Sequence, residues 1–171
     1  MLACERPFSA KLRVMTVIIR AAEARDLPGI AKLAGQLVRQ HHGFDAQRFM
    51  LIPHVESGYA HFFQSELSNP DVVLLAAEQA GRVVGYAYAR LEARDWNALL
   101  DACGALHDIF VSDELRRQGV ARRLLDEVRG ALRSKGAPRL VLHTASKNAA
   151  ARQFFAAQGF RETMIELTAE L

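Results

Sequence analysis

The chain has 171 residues, of which 50% are hydrophobic and 24% charged. It is long enough for one domain that buries roughly 70% of its unfolded surface, and too apolar for a disordered chain. The net charge of +3 is uneven, because residues 1–111 carry 11 basic and 12 acidic side chains, whereas residues 112–171 carry 11 and 7. This basic C-terminal third indicates either an anion site or a solvated basic surface.

The cysteines and apolar runs exclude several classes of protein. Two cysteines, Cys4 and Cys103, do not make a disulfide framework in a domain of this size. Cys103 and His107 have a C-x3-H spacing, but no second pair completes a zinc site, so we expect no bound metal. The longest apolar run, residues 72–77, is far shorter than the roughly 20 residues that span a bilayer. We therefore expect no membrane insertion and a cytoplasmic location.

The N-terminal residues have no clear hydrophobic period. Met15 stands just before an apolar segment at residues 17–19 and is interpreted as the natural start. Residues 1–14 are then a dispensable extension, and residues 15–171 form a single domain. The alternative is that the extension forms an extra strand or a dimer contact.

Two helices follow the first predicted strand. Residues 17–20 predict that strand, and Asp26 is expected to cap the helix after it. From Ile30 onward, apolar residues recur at i, i+3, i+4, i+7 and i+8, which is the helical period. We expect this helix to break at residues 41–45 and a second helix to occupy residues 55–67. The apolar stripe of the second helix comprises Tyr59, Phe62, Phe63 and Leu67.

A β-hairpin and a fourth strand come next. Residues 72–78 and 82–91 are apolar segments on either side of a turn at residues 79–81, a pattern typical of a hairpin. A loop rich in Asp and Asn, which also contains the single Trp, leads to the fourth strand at residues 106–111.

The C-terminal part alternates helices and strands. Residues 120–135 predict a helix, residues 139–144 a strand, and residues 148–158 a helix that ends at Gly159. Residues 160–171 are expected to form one or two closing strands. The apolar face of the first of these helices comprises Val120, Leu124, Leu125, Val128 and Leu132. This order predicts an α+β domain with a central mixed β-sheet and helices on both faces.

The junction between the fourth strand and the next helix predicts an anion site. The first N–H groups of a helix have no helical partners, and its N-terminus is partially positive, so it attracts phosphate or pyrophosphate. Gly119 would let the anion approach the backbone. Four arginines add positive charge nearby: Arg116, Arg117, Arg122 and Arg123. The motifs G-x-x-x-x-G-K-[ST] and G-x-G-x-x-G are both absent from the sequence.

Two motifs carry a resemblance to a known family. The pattern R-x-x-G-x-A, from Arg116 to Ala121, resembles the acyl-CoA pyrophosphate loop of the GNAT N-acetyltransferase superfamily. Downstream, the segment from Asn148 to Phe155, followed by Gly159 and Phe160, resembles the superfamily's N-x-x-A-x-x-F-Y-x-x-x-G-F helix. The order of elements also resembles the GNAT acyl-CoA N-acyltransferase fold from residue 17 to the C-terminus.

This resemblance implies acetyl-CoA as the acyl donor, without a metal. It implies that one stretch of backbone lies beside the pantetheine arm: Ile109, Phe110 and Val111. It implies that a second stretch surrounds the pyrophosphate: Arg116, Arg117, Gln118, Gly119, Val120, Ala121 and Arg122. Asn148 matches the residue that contacts pantetheine or orders a water there, and it is equally suited to be a helix N-cap.

Phe155 departs from the family pattern. Many members have a tyrosine at this position as the acid that protonates the departing thiolate. Another donor, such as Tyr86, Tyr88 or a water, would have to replace it. Alternatively no acid is needed, because a thiol with a pKa of about 8.5 is a tolerable leaving group near neutral pH.

The reaction implied is transfer of an acetyl group to a primary amine by direct attack in a ternary complex. The amine must lose a proton before it attacks, to a base or to a chain of waters. Asp108 is the first candidate for this base, His107 the second and His143 the third. Alternatively, Asp108 holds the substrate ammonium, and the two histidines are ordinary residues of the sheet.

The expected partner is a small-molecule amine, polyamine-like or an amino sugar, in preference to a protein lysine. Carboxylates near Trp96 suit an ammonium group, although a solvated acidic loop is the alternative. They are Glu92, Asp95, Asp101 and Asp108. Substrate contacts are also expected after the first helix, at His41, His42, Phe44 and Asp45.

A non-catalytic acyl-CoA-binding sensor is the alternative function, because Phe155 cannot act as an acid. Nucleic-acid binding is not favoured, because the C-terminal aromatic residues occupy core positions and do not alternate with the arginines. The resemblance also allows a homodimer.

Overall fold

The computed structural model describes residues 16–169, so the predicted start at Met15 and the predicted extension, residues 1–14, lie outside the described residues. Five strands and four helices follow one another in the described part. They are β1 (Ile18–Ala21), α1 (Leu27–Phe44), α2 (Val55–Glu66), β2 (Val72–Gln79), β3 (Arg82–Glu92), β4 (Cys103–Val111), α3 (Val120–Ser134), β5 (Leu140–Leu142) and α4 (Ala149–Ala157).

The strands form one mixed sheet in the order β1-β2-β3-β4-β5. Neighbours from β1 to β4 are antiparallel, and β5 is parallel to β4. One face packs against α1 and α2 around the buried rings of Phe63 and Tyr86. The other face packs against α3 and α4, with Leu124 and Leu125 at its centre. The predicted mixed sheet with helices on both faces is confirmed.

The predicted hairpin and the predicted face of α3 are also confirmed. Ala80 and Gly81 have φ angles of 53° and 75°, the left-handed conformation that a two-residue hairpin turn requires. All five predicted apolar residues of α3 are buried. The helix lies so close to β4 that a Cβ atom on Gly104 would stand 2.7 Å from Cδ1 of Leu132.

A bulge and a difference in strand length shape β4. Tyr88 pairs with Asp108 and Ala89 with Leu106, so His107 is the extra residue. The bulge turns His107 and Asp108 toward the face that α1 and α2 cover. On its other side, β4 pairs with β5 only from Gly104 to Leu106. The strands therefore separate beyond Leu106, and a cleft opens between them.

Helix α1 differs from the prediction at both ends. It continues through Phe44 instead of breaking at residue 41, because the Nδ1 atom of His41 binds the carbonyl of Leu37 at 3.0 Å within the last turns. Asp26 stands at the N-cap position, but its side chain does not cap the helix. Its carboxylate accepts hydrogen bonds from Arg20, at 2.6 and 2.8 Å, and from the backbone N–H of Glu23 at 2.8 Å.

The predicted closing strands are wrong for residues 160–169, which contain no strand. Met164, Ile165 and Leu167 are 77%, 80% and 90% exposed. Glu166 instead pairs with Arg48, in the connection between α1 and α2. An apolar pattern produces a strand only where a partner edge is available, and β5 is only three residues long.

Candidate functional site

The cleft between β4 and β5 has a volume of about 250 Å³. Its walls come from the C-terminal half of α1, the outer part of β4, the end of β5 and the first turns of α4. Residues that line it include Gln40, His41, His107, Ile109, Val111, His143, Asn148 and Phe155. The cleft therefore gathers residues from both predicted motifs into one site.

The outer edge of β4 borders this cleft. Pairing with β5 ends at Leu106, so among the described residues the backbone groups of residues 107–111 that point away from β3 have no strand partner. The carbonyl of Val111 receives only a long hydrogen bond, 3.4 Å, from Nε of Arg116. A free strand edge can accept an extended ligand as if it were an added strand.

The loop between β4 and α3 has the backbone shape that anions require. Arg117 and Gly119 have φ angles of 61° and 79°, and α3 begins at Val120 without a side-chain cap. A Cβ atom on Gly119 would meet nothing within 4 Å, so glycine is favoured there by its backbone conformation and not by lack of space. Successive N–H groups in such a turn form a concave anion site.

The arginines near this loop do not all face it. Arg123 donates to the carbonyl of Val17 at 3.0 Å, so one of its N–H groups is already engaged within the protein. Arg122 stands 3.8 Å from Asp126, one turn along the helix. Arg116 binds Asp113 at 2.8 Å, and its guanidinium lies over the ring of Phe110.

The remaining residues of the loop support its shape. The side-chain amide of Gln118 donates to the carbonyl of Glu114 at 2.9 Å, which closes the loop on itself. Val120 is buried beneath the first turn of α3, and Ala121 lines the cleft. The small side chain of Ala121 leaves room in the cleft beside the helix N-terminus.

Helix α4 contributes one polar and one aromatic residue to the cleft. Asn148 is the N-cap, and its side chain accepts a hydrogen bond from the N–H of Ala151 at 3.1 Å. Phe155 is buried, with ring centroids 5.1 Å from Phe154 and 5.5 Å from Phe160. Phe155 thus occupies the position at which the resemblance leads one to expect a tyrosine. It packs in the core and also borders the cleft.

Asp108 lies in a poorly hydrated environment. The hydroxyl of Tyr86 donates to its Oδ2 atom at 3.0 Å, and Tyr86 is itself fully buried. Burial raises the pKa of the Asp108 carboxyl, although the Tyr86 hydrogen bond and the nearby imidazoles of His107 and His41 oppose that rise. The same carboxylate, together with burial, raises the pKa of Tyr59 on α2. A carboxylate with a raised pKa is a better proton acceptor near neutral pH.

The other candidates for proton transfer are arranged differently. Nε2 of His107 lies 3.0 Å from Glu92, and its ring stacks on Tyr88 at 5.3 Å. The Tyr88 hydroxyl donates to Glu66 at 2.7 Å. His143 lines the cleft just beyond β5. Because Tyr86 and Tyr88 both donate to carboxylates on the face of α1 and α2, the structure does not direct either hydroxyl into the cleft.

The predicted acidic loop is not part of the cleft. Asp101 pairs with Arg94 at 2.9 Å, and the same arginine lies over the ring of Trp96. The carboxylate of Asp95 accepts hydrogen bonds from the N–H groups of residues 97 and 98. The charges of Asp95 and Asp101 are thus engaged in local contacts, whereas Glu92 lies 3.0 Å from the cleft-lining His107, which precedes Asp108 in β4.

His41 and Gln40 both line the cleft. The sequence analysis named His41 only as a substrate contact, below Asp108 as a candidate, and did not name Gln40. It placed His41 in a predicted helix break, so the position of His41 one helical turn after Leu37 was not recognised.

Within residues 16–169, no cluster of three or more His, Cys, Asp or Glu side chains is placed to hold a metal. In the same part of the chain, no helix is both long and apolar enough to cross a membrane.

Comparisons with known proteins agree with this geometry. The uncharacterised N-acetyltransferase YhfO of Bacillus subtilis (strain 168) is 28% identical over 144 residues, 84% of this chain and 89% of that protein. Aminoglycoside N-acetyltransferase AAC(6')-Iy, solved in complex with CoA, has a TM-score of 0.77 at 21% identity and covers 94% of this chain and 98% of its own. Glucosamine-6-phosphate N-acetyltransferase from Arabidopsis thaliana has a TM-score of 0.67 at 18% identity, with 91% and 98% covered.

The family comparison covers the residues that form the cleft. The family model described as acetyltransferase (GNAT) family matches residues 38–160, from the middle of α1 to the residue after Gly159. This range includes β4, the loop before α3 and all of α4. The chain belongs to the acetyltransferase (GNAT) family.

Proposed function

We propose that the protein is an N-acetyltransferase that moves an acetyl group from acetyl-CoA to the primary amine of a small molecule, by direct attack in a ternary complex. The observation that carries this proposal is the cleft between β4 and β5. It combines a free strand edge with a turn suited to anions at one end, and its wall at His107 adjoins the buried carboxylate of Asp108, which does not itself line the cleft. The strand edge is the proposed site for pantetheine, the turn is the proposed site for pyrophosphate, and the carboxylate is the group proposed to act on the amine.

The donor side is assigned to the backbone. The edge of β4 at Ile109, Phe110 and Val111 hydrogen-bonds the pantetheine amides. The N–H groups from Arg117 to Arg122 bind the pyrophosphate, with charge from Arg116. Asn148 keeps its N-cap bond and borders the same arm. The CoA complex of AAC(6')-Iy, a protein with the same fold, supports this assignment.

The acceptor side is assigned to the residues at the bulge. Asp108 attracts the substrate ammonium by Coulomb interaction in a poorly hydrated site, as charge partner or as proton acceptor. His107 stands next to it but is held by Glu92, so we assign it a secondary role.

The leaving group needs no side-chain acid in this proposal. Phe155 has no proton to give, and the hydroxyls of Tyr86 and Tyr88 donate to carboxylates. A thiolate with a conjugate-acid pKa of about 8.5 departs without full protonation near neutral pH. Phe155→Tyr is therefore expected to change kcat by less than threefold.

A small acceptor is favoured by the size of the cleft. Its volume of about 250 Å³, which also has to hold the pantetheine arm, is too small for a folded polypeptide surface. Solved proteins of the same fold include aminoglycoside N-acetyltransferases, which supports an amine on a small molecule.

The proposal is tested by measuring acetyl-CoA binding and thiol release with the same protein. Calorimetry should show binding of acetyl-CoA, and thiol release should accelerate with at least one class among polyamines, amino sugars and amino acids. Binding without release across the whole panel would favour a non-catalytic sensor. Failure to bind acetyl-CoA at all would refute both readings.

A further inference from the structure

Two imidazoles of the cleft, those of His41 and His143, have no role in the reaction proposed above. His41 lies in the last turns of α1 and lines the cleft from the side opposite β4. Its ring centroid is 6.1 Å from that of Phe44 and 5.1 Å from that of Phe49. These two aromatic rings restrict the orientation of the imidazole.

The hydrogen bond of His41 fixes which of its nitrogens carries the proton. Nδ1 lies 3.0 Å from the carbonyl oxygen of Leu37. A carbonyl oxygen only accepts hydrogen bonds, so Nδ1 must be the donor. The neutral ring therefore keeps its lone pair on Nε2, the nitrogen that does not bind the helix. A base held in one tautomer and one orientation is suited to proton transfer.

Asp108 and His107 are less free to accept a proton, and among the described residues no hydrogen bond orients the exposed ring of His143. Asp108 already accepts a hydrogen bond from Tyr86, and its carboxylate interacts electrostatically with His41. His107 is held by Glu92 through Nε2 and stacks on Tyr88. His41 thus combines direct access to the cleft with an available lone pair and an acidic neighbour.

We propose that Nε2 of His41 accepts the proton of the acceptor ammonium. This inference rests on the proposed acetyl transfer and names the base within it. The neutral amine nitrogen then forms the C–N bond to the thioester carbonyl, and the C–S bond breaks. Of the two protons that the ammonium loses, the first passes to His41 and the second to the departing sulfur, which leaves as the CoA thiol. The imidazolium returns its proton to solvent.

Charged or titratable groups on the elements around the cleft bear on any pH dependence. They come from β4, from the end of β5, from α2, from the connection after α1 and from the connection before α4. These groups are Asp108, His107, His143, Tyr59, Asp45, Arg48 and Lys147. Asp45 and Lys147 pair at 3.8 Å and Arg48 pairs with Glu166, whereas Asp108 interacts electrostatically with the His41 ring.

The test compares a histidine of the cleft with an exposed histidine outside it. His41→Asn keeps a donor for the Leu37 carbonyl and removes the base at Nε2. His61→Asn is the control, because His61 is exposed on α2 and does not line the cleft. We expect His41→Asn to lower kcat/KM about 100-fold at pH 7 and to remove the acidic limb of its pH profile. His61→Asn should keep the wild-type profile, and both variants should bind acetyl-CoA with wild-type Kd.

Two outcomes separate this inference from the proposed function. Wild-type turnover together with an unchanged pH profile in His41→Asn would overturn the role of His41 alone. Absence of turnover by the wild type with every amine would refute the proposed function itself.

Discussion

At the scale of single residues, the acceptor side of the cleft depends on the position of Asp108. The Tyr86 hydroxyl donates to this carboxyl at 3.0 Å, and burial raises its pKa. The bulge at His107 puts Asp108 on the same face of the sheet as Tyr86, because an extra residue reverses the alternation of side chains along β4. Without the bulge, Asp108 would point into the apolar core beneath α3.

Tyr86→Phe should lower stability in a pH-dependent way. The folded-state pKa of Asp108 is raised, so the folded protein binds more protons than the unfolded chain between the two pKa values, and stability falls as pH rises through that window. Removing the Tyr86 donor raises this pKa further. We expect a loss of about 1–2 kcal/mol in the free energy of unfolding at pH 8 and a smaller loss at pH 4. Urea denaturation at both pH values checks this, and an equal loss at both would indicate a packing effect only.

Part of the proposed site could be predicted from the sequence. The strand that carries Asp108 and the loop that carries Gly119 could be predicted, because each depends on a local pattern of residues. The effect of the bulge on the position of Asp108 could not be predicted, because it depends on the register between β3 and β4. His41 was obscured because Gly43 suggested an earlier end of α1, whereas contacts with Phe49 stabilise its last turn.

At the scale of elements, the junction of β4 and α3 requires one glycine. Gly119 has a φ angle of 79°, which a residue with a Cβ atom adopts only with strain. Gly119→Ala should lower the free energy of unfolding by about 1 kcal/mol and weaken CoA binding. Gly130→Ala, in the interior of α3 with nothing within 4 Å of an added Cβ, should raise stability by about 0.5–1 kcal/mol and leave CoA affinity unchanged. Urea denaturation and calorimetry measure both, and equal CoA affinity in the two variants would contradict this account of the loop.

The start of α1 is tied to the sheet by an ion cluster. Arg20 binds Asp26 and, at 2.5 Å, Glu78, and the Arg20 hydrogen bonds hold the pKa of Asp26 below its ordinary value. Stability from Asp26 is therefore present above its unfolded pKa of about 3.9 and is lost as pH falls through the lower folded value. Asp26→Asn should cost about 2 kcal/mol at pH 7, and the difference from wild type should shrink below pH 4. The exposed Asp126→Asn is the control and should change stability by less than about 0.5 kcal/mol. An Asp26→Asn penalty that is constant with pH would contradict the assignment.

The ends of elements were harder to predict than their order. All nine helices and strands described from β1 to α4 were expected from hydrophobic period and turn residues. The closing strands were not found because apolar alternation in residues 160–169 says nothing about whether a neighbouring edge is available. The length of β5, three residues, also depends on its neighbours and not on its own composition.

At the scale of the whole molecule, the cleft follows from unequal strand lengths in one mixed sheet. β4 has nine residues and β5 has three, so the two parallel strands separate where the chain turns into α3. The basic C-terminal third contributes less charge to this opening than composition suggests, because Arg122 and Arg123 make contacts within the protein. The proposed anion site therefore depends mainly on backbone N–H groups, since Arg116 is also paired, with Asp113 at 2.8 Å.

The central claim is that this cleft transfers an acetyl group to an amine beside Asp108. The most direct measurement is the initial rate of thiol release from acetyl-CoA, with the best small primary amine of a panel, by wild type, Asp108→Asn and Asp101→Asn. We expect Asp108→Asn to lower kcat/KM at least 100-fold while its Kd for acetyl-CoA stays within threefold of wild type, and Asp101→Asn to retain wild-type kinetics. Wild-type rates in Asp108→Asn would contradict the claim.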